Sequence, residues 1–125
     1  MNTILKNYFS FETNMFFEPK DLMDNLNEEF VLEGEEYLSK EGIDTSNIYF
    51  KLLAQLYYLK SKNDVNDSLL AYVNYIIAYY VGLFLHPING EFLALKYLNE
   101  AIALENDNTQ LIKYKELMGM IREEL

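Results

Sequence analysis

Cysteine is absent from this 125-residue sequence, which removes disulfides, thiolate nucleophiles, iron–sulfur clusters and cysteine-based zinc sites together. Histidine occurs once, at His86. One histidine supplies neither a His-Glu-x-x-His motif nor the two Glu-x-x-His pairs of a di-iron bundle. The glycines Gly34, Gly42, Gly82, Gly90 and Gly119 stand singly, and none has the spacing of a phosphate-binding loop. Asp64, Asn66 and Asp67, like Asp107 and Asn108, resemble calcium ligands but lack the glycine and closing glutamate of a calcium loop. Helix capping accounts for both groups, so no metal and no cofactor are expected. Positive charge is also scarce. Ten Lys and Arg face twenty Asp and Glu, for a net charge of −10. Direct binding to nucleic acid or to an anionic membrane surface starts at an electrostatic disadvantage, and neither is expected.

What is present is apolar and aromatic. Half the residues are hydrophobic and 15% are aromatic, which excludes a disordered chain and suits one domain spanning 1–125 with an unstapled core. The N-terminal MNTILKNYFSFETNMFF has no continuous apolar stretch and no small-residue cleavage site. It does not read as a signal peptide, and a cytoplasmic location is expected. Residues 69–85, LLAYVNYIIAYYVGLFL, carry no charge and sit at the lower edge of the length that can span a bilayer. Tyr72, Tyr75, Tyr79 and Tyr80 fall inside the stretch, whereas membrane spans hold tyrosine near the interfaces. Their hydroxyls find partners more easily in a protein core than in lipid. A buried central helix is therefore expected in preference to a span.

Helical spacing dominates the rest, and two-residue alternation is absent. Pro19 opens a first helix carrying Leu22, Leu26, Phe30, Tyr37 and Leu38, with Gly42 as a left-handed stop. Thr45 or Ser46 caps a second helix through Ile48, Leu52, Leu53, Leu56, Tyr57 and Leu59. Asp67 caps a third, apolar nearly all round, which His86–Pro87 ends. Asn89 or Gly90 opens a fourth helix, and Asp107 with Gln110 forms a capping box for a fifth. The fold expected is all-α, a bundle of five to six antiparallel helices. Residues 1–17 suit a short extra helix through Ile4, Leu5, Tyr8 and Phe9, but its caps are poor.

Within residues 75–108, small residues recur where two helices would cross. Gly82, Ala94 and Ala101 match the small positions of a tetratricopeptide repeat, and Leu98 stands where that family usually has an aromatic. The segment resembles one such helical hairpin. It departs from the family at Ala78, Leu85 and Asn106, where tryptophan, tyrosine and the turn proline are usual, and no second unit falls in register. The resemblance implies a helical hairpin and a concave face that receives a protein or peptide.

Acid is distributed unevenly. Ten carboxylates between Glu18 and Asp44 face only Lys20 and Lys40, so this segment holds −8 of the −10. Asp21, Asp24 and Glu28, and likewise Glu29, Glu33 and Glu36, recur at helical spacings. Like charges four apart oppose helix formation by about 0.2–0.5 kcal/mol per pair, so the strip works slightly against folding. A docking face for a strongly basic protein explains it, with Asp21, Asp24, Glu28, Glu29, Glu33, Glu35, Glu36 and Tyr37 as the contact residues.

No arrangement of nucleophile, base and orienting group emerges, and His86 before Pro87 suits a helix C-cap. A non-enzyme is expected. In size, acidity, helical architecture and lack of catalytic residues the chain resembles small bacterial immunity proteins, including those of contact-dependent inhibition systems. That resemblance implies an inhibitor that covers the active site of a basic, nuclease-like toxin domain. The alternative is a tetratricopeptide-type adaptor binding a peptide or helix in its concave face. Eight phenylalanines and eleven tyrosines also leave room for a homodimer.

Overall fold

A computed structural model describes residues 3–124 and is all-helical over them. The elements are α1 (Thr3–Tyr8), α2 (Leu22–Asn25), α3 (Glu28–Lys40), α4 (Ser46–Lys60), α5 (Asp67–Tyr80), a π-helical turn (Val81–Leu85), α6 (Gly90–Leu104) and α7 (Asn108–Arg122). Among the described residues there are seven α-helices where five or six were expected, mainly because the N-terminal third is more broken than its periodicity suggests.

The long helix expected from Pro19 does not form. Helix α2 stops at Asn25, Leu26 is extended, and α3 starts afresh at Glu28. Two interactions fix the break. The Asn27 side chain accepts from the Phe30 N–H at 2.9 Å, capping α3, and the Leu26 carbonyl accepts from the Tyr72 hydroxyl at 2.7 Å. An asparagine cap with glutamates in the first turn is a strong local start signal, and here it prevails over the apolar period running through it. At the other end of α3, Gly42 takes φ +70 and the Ile43 N–H reaches back to the Leu38 carbonyl at 2.9 Å. This is the glycine-terminated motif expected at that position.

Helix α5 is buried on almost every face and packs against α3, α4 and α6. The stretch from Asp67 to Leu85 is long and apolar enough to cross a membrane, yet two-thirds of it is buried inside the bundle. Three of its four tyrosine hydroxyls find protein partners, as expected of a core helix. Besides the Tyr72 bond, Tyr75 donates to Glu28 at 2.9 Å and Tyr80 to the Thr45 carbonyl at 2.9 Å. The cap of α5 is Asn66, whose side chain accepts from the Leu69 N–H, one residue earlier than expected. His86 ends the π turn in a left-handed conformation, its N–H bonded to the Val81 carbonyl at 3.2 Å.

The crossing of the α5–π segment with α6 occurs at the small residues singled out in the sequence. A Cβ added at Gly82 would stand 3.2 Å from the Ala94 Cβ and 2.7 Å from the Cδ1 of Ile121 in α7, so any larger residue would crowd the crossing and push Ile121 aside. Helix α7 then packs on α6.

The N-terminal segment belongs to the core. From Thr3 onward it forms α1 and then an extended strap that buries Tyr8, Phe9 and Phe17. The Tyr8 and Phe17 rings stack at 4.6 Å, and Phe30 meets both at 5.6 Å. Gln55, fully buried in α4, ties the strap down. It accepts from the Tyr8 hydroxyl and the Phe17 N–H at 2.9 Å and donates to the Phe17 carbonyl at 3.0 Å. A single amide thereby satisfies both backbone groups of a buried residue.

Candidate functional site

The acid-rich residues were expected on one continuous helix. The break at Leu26–Asn27 divides them instead between the turn before α2, α2 itself and α3. Asp24, Glu29 and Glu33 line one groove together with Ile4, Asn27 and Phe30. Glu33 also lines the adjoining groove with Glu36, Tyr37 and Glu41. Through Glu33 the two form one acidic strip along the α1–α3 side, with Leu5, Lys6 and Lys40 as its remaining lining. Lys40 pairs with Glu36 at 2.9 Å, one turn apart and mostly exposed, a geometry that contributes little stability. Among the described residues Asp24, Glu29 and Glu33 have no ion-pair partner.

Three expected contact residues stand apart from the strip. Glu28 is turned inward: its Oε2 lies 2.8 Å from Lys113 Nζ of α7 and accepts from Tyr75. Burial by itself would raise this carboxyl, but the bond from Lys113, its own backbone N–H and the Tyr75 hydroxyl outweigh burial and hold it below its usual value. Glu28 is thus engaged by Lys113 and Tyr75 within the fold and lines neither groove. Glu35 is half-buried, its Oε1 3.5 Å from the Tyr80 hydroxyl. Burial first, then the Glu35 charge, pushes that phenol up to about 12. Asp21 is exposed in the turn before α2 and lines neither groove.

A second carboxylate, which the sequence reading missed, is more deeply set. Glu105 is 7% exposed. Its Oε2 accepts from the Ser68 hydroxyl at 2.6 Å and from the N–H groups of Asn106 and Asp107 at 3.1 and 3.2 Å. Its Oε1 accepts from Tyr114 at 2.9 Å. Burial opposes the charge, and these donors more than compensate, so the carboxyl lies below its usual value. The arrangement also explains why the expected capping box is incomplete. Asp107 accepts from the Thr109 N–H, but the Asp107 N–H that Gln110 should bond is taken by Glu105, and Gln110 Oε1 is buried without a partner.

One cluster has metal-ligand character. Donor atoms of His86, Glu91 and Glu124 lie within 4.8 Å of one another at the surface. These three groups could hold a cation between the α5–α6 connection and the end of α7, but a single exposed imidazole offers no built cage.

Large apolar side chains are exposed at the opposite extreme of character. Phe11 is 77% and Phe50 60% exposed. Phe50 borders an apolar groove with Tyr49, Leu85, Pro87 and Leu93, and together with Phe11 it lines a separate cavity beside Lys51. No family model matches the chain, and neither curated proteins nor solved structures yield a match.

Proposed function

We propose that this protein is a non-enzymatic binding module that docks a cationic protein partner along the α1–α3 strip, as an immunity protein covers the active site of a basic, nuclease-like toxin. The observation that carries the reading is Glu33, which joins two grooves into one strip bearing Asp24, Glu29, Glu36 and Glu41. Asp24, Glu29 and Glu33 have no ion-pair partner among the described residues and Glu36 has only the exposed Lys40. Such carboxylates, aligned on one face, accelerate encounter with a basic surface and supply ion pairs when water is excluded. Tyr37, half-buried in the same groove, offers an aromatic anchor of the kind that concentrates binding energy. Glu28 contributes to the partner only indirectly, by fixing the start of α3.

The test is a pull-down with the neighbouring gene's product as bait, at low and high salt. Binding that weakens steeply with salt supports the proposal, and salt-independent binding opposes it.

A second reading has its own support. The hairpin crossing at Gly82 and Ala94, with the apolar groove at Phe50, Leu85, Pro87 and Leu93, suits an adaptor that receives an apolar peptide or helix. An adaptor would be sensitive to Phe50→Ala and indifferent to neutralisation of the strip.

A further inference from the structure

Between the N-terminal strap and α4 lies a cavity of about 240 Å³, just below the usual range for drug-sized ligands and so suited only to a small one. Its walls are Phe9, Phe11, Leu38, Ile43 and Phe50, with Lys51 the one cation among the lining residues. Ser10 and Asn47 add neutral hydrogen-bonding groups at its edge.

Lys51 is unusual in this chain. Acids outnumber bases two to one, yet among the described residues no carboxylate pairs with it. Its ammonium is half-buried, 4.5 Å from the centre of the Tyr8 ring and 4.1 Å from that of Phe16, and it donates to the Met15 carbonyl. An ammonium has three donors, and one protein acceptor leaves capacity for more. Ring faces attract the cation but carry no counter-charge. Burial lowers the Lys51 pKa to about 8, so the charge is held at a cost that an anion would relieve.

We propose that this cavity binds a small aromatic carboxylate, its ring between Phe11 and Phe50 and its carboxylate on Lys51. The apolar walls select the body of the ligand and the unpaired ammonium selects its charge. A neutral analogue of the same shape keeps the apolar contacts and loses the ion pair, which sets the discrimination. Tyr8 is the only other titratable group lining the cavity, and burial raises its phenol so that it stays neutral. Binding of an anion should therefore follow the Lys51 proton: intact near neutral pH and weakening as the pH passes through about 8.

The experiment is a titration of the full chain with naphthoate and, separately, with neutral naphthamide, read by nuclear magnetic resonance shifts of backbone amides. The expected result is a preference for the acid of about tenfold or more, equivalent to one unit of pKa coupling, with shifts centred on Ser10, Asn47 and Phe50. The preference should vanish well above the Lys51 pKa and in Lys51→Met. The pH comparison uses the unaltered protein, so it decides the matter even if Lys51→Met unfolds. Equal affinity for acid and amide, binding of neither, or shifts centred elsewhere overturns the proposal.

Discussion

The Tyr114 hydroxyl of α7 donates a 2.9 Å hydrogen bond to the carboxylate of Glu105, the residue that ends α6. The same carboxylate holds Ser68 in the first turn of α5. One buried anion thus fastens three helices, and its four donors make it costly to change. Replacing it by Glu105→Gln should destabilise the protein by about 1–3 kcal/mol, since an amide loses the charge and presents an N–H to donors. Chemical denaturation of the two proteins measures this. An unchanged midpoint would show that the four bonds contribute nothing net.

Acid should act through the same groups. Glu28 and Glu105 both titrate below their usual values in the folded chain, so the native state favours their charged forms. Their contribution is complete above the ordinary carboxylate range and disappears as pH falls through the lowered values. Melting temperature followed from neutral to acidic pH should fall more steeply for the parent than for Glu105→Gln.

Glycines separate packing from propensity. The Phe9 ring lies directly on Gly34 of α3, where a Cβ would collide with its edge, while a Cβ at Gly119 in α7 meets nothing within 4 Å. Gly34→Ala should cost about 1–3 kcal/mol through overpacking. Gly119→Ala should stabilise by about 0.5–1 kcal/mol through helix propensity. Thermal melts that moved both in the same direction would contradict this account.

The Asn27 cap decides where α3 begins. Asn27→Ala removes the acceptor of the Phe30 N–H and should cost about 1 kcal/mol. Asn27→Asp should preserve the cap, which amide hydrogen exchange at Phe30 would report.

Neutralising the strip tests the proposed docking face. Asp24→Asn with Glu29→Gln, Glu33→Gln and Glu36→Gln should leave the melting temperature unchanged or slightly raised, because like charges are removed and only the exposed pair with Lys40 is lost. Association with a cationic partner should slow, and salt should matter less afterwards. Stopped-flow rates equal to those of the parent would end the electrostatic reading. Glu28 is excluded from the set, since losing it would strand Lys113.

Helical identity, the left-handed stop at Gly42, the end of the central segment at His86–Pro87 and the close crossing at Gly82 and Ala94 were all readable in the sequence. Each depends on local geometry: a 3.6-residue period, a φ that glycine tolerates, a proline that blocks the residue before it, or small side chains at fixed spacing. The uneven placement of acid was equally plain. Only tertiary structure decided which carboxylates reach solvent, because Lys113 and Tyr75, far along the chain, draw Glu28 inward while Glu29 and Glu33 face out. The same holds for Gln55 and the N-terminal strap. Gln55 sits among the leucines of α4, but the backbone it satisfies, at Phe17, is chosen by packing. Local periodicity tells each helix which side to bury, and only the meeting of distant surfaces determines what each buried polar group will find there.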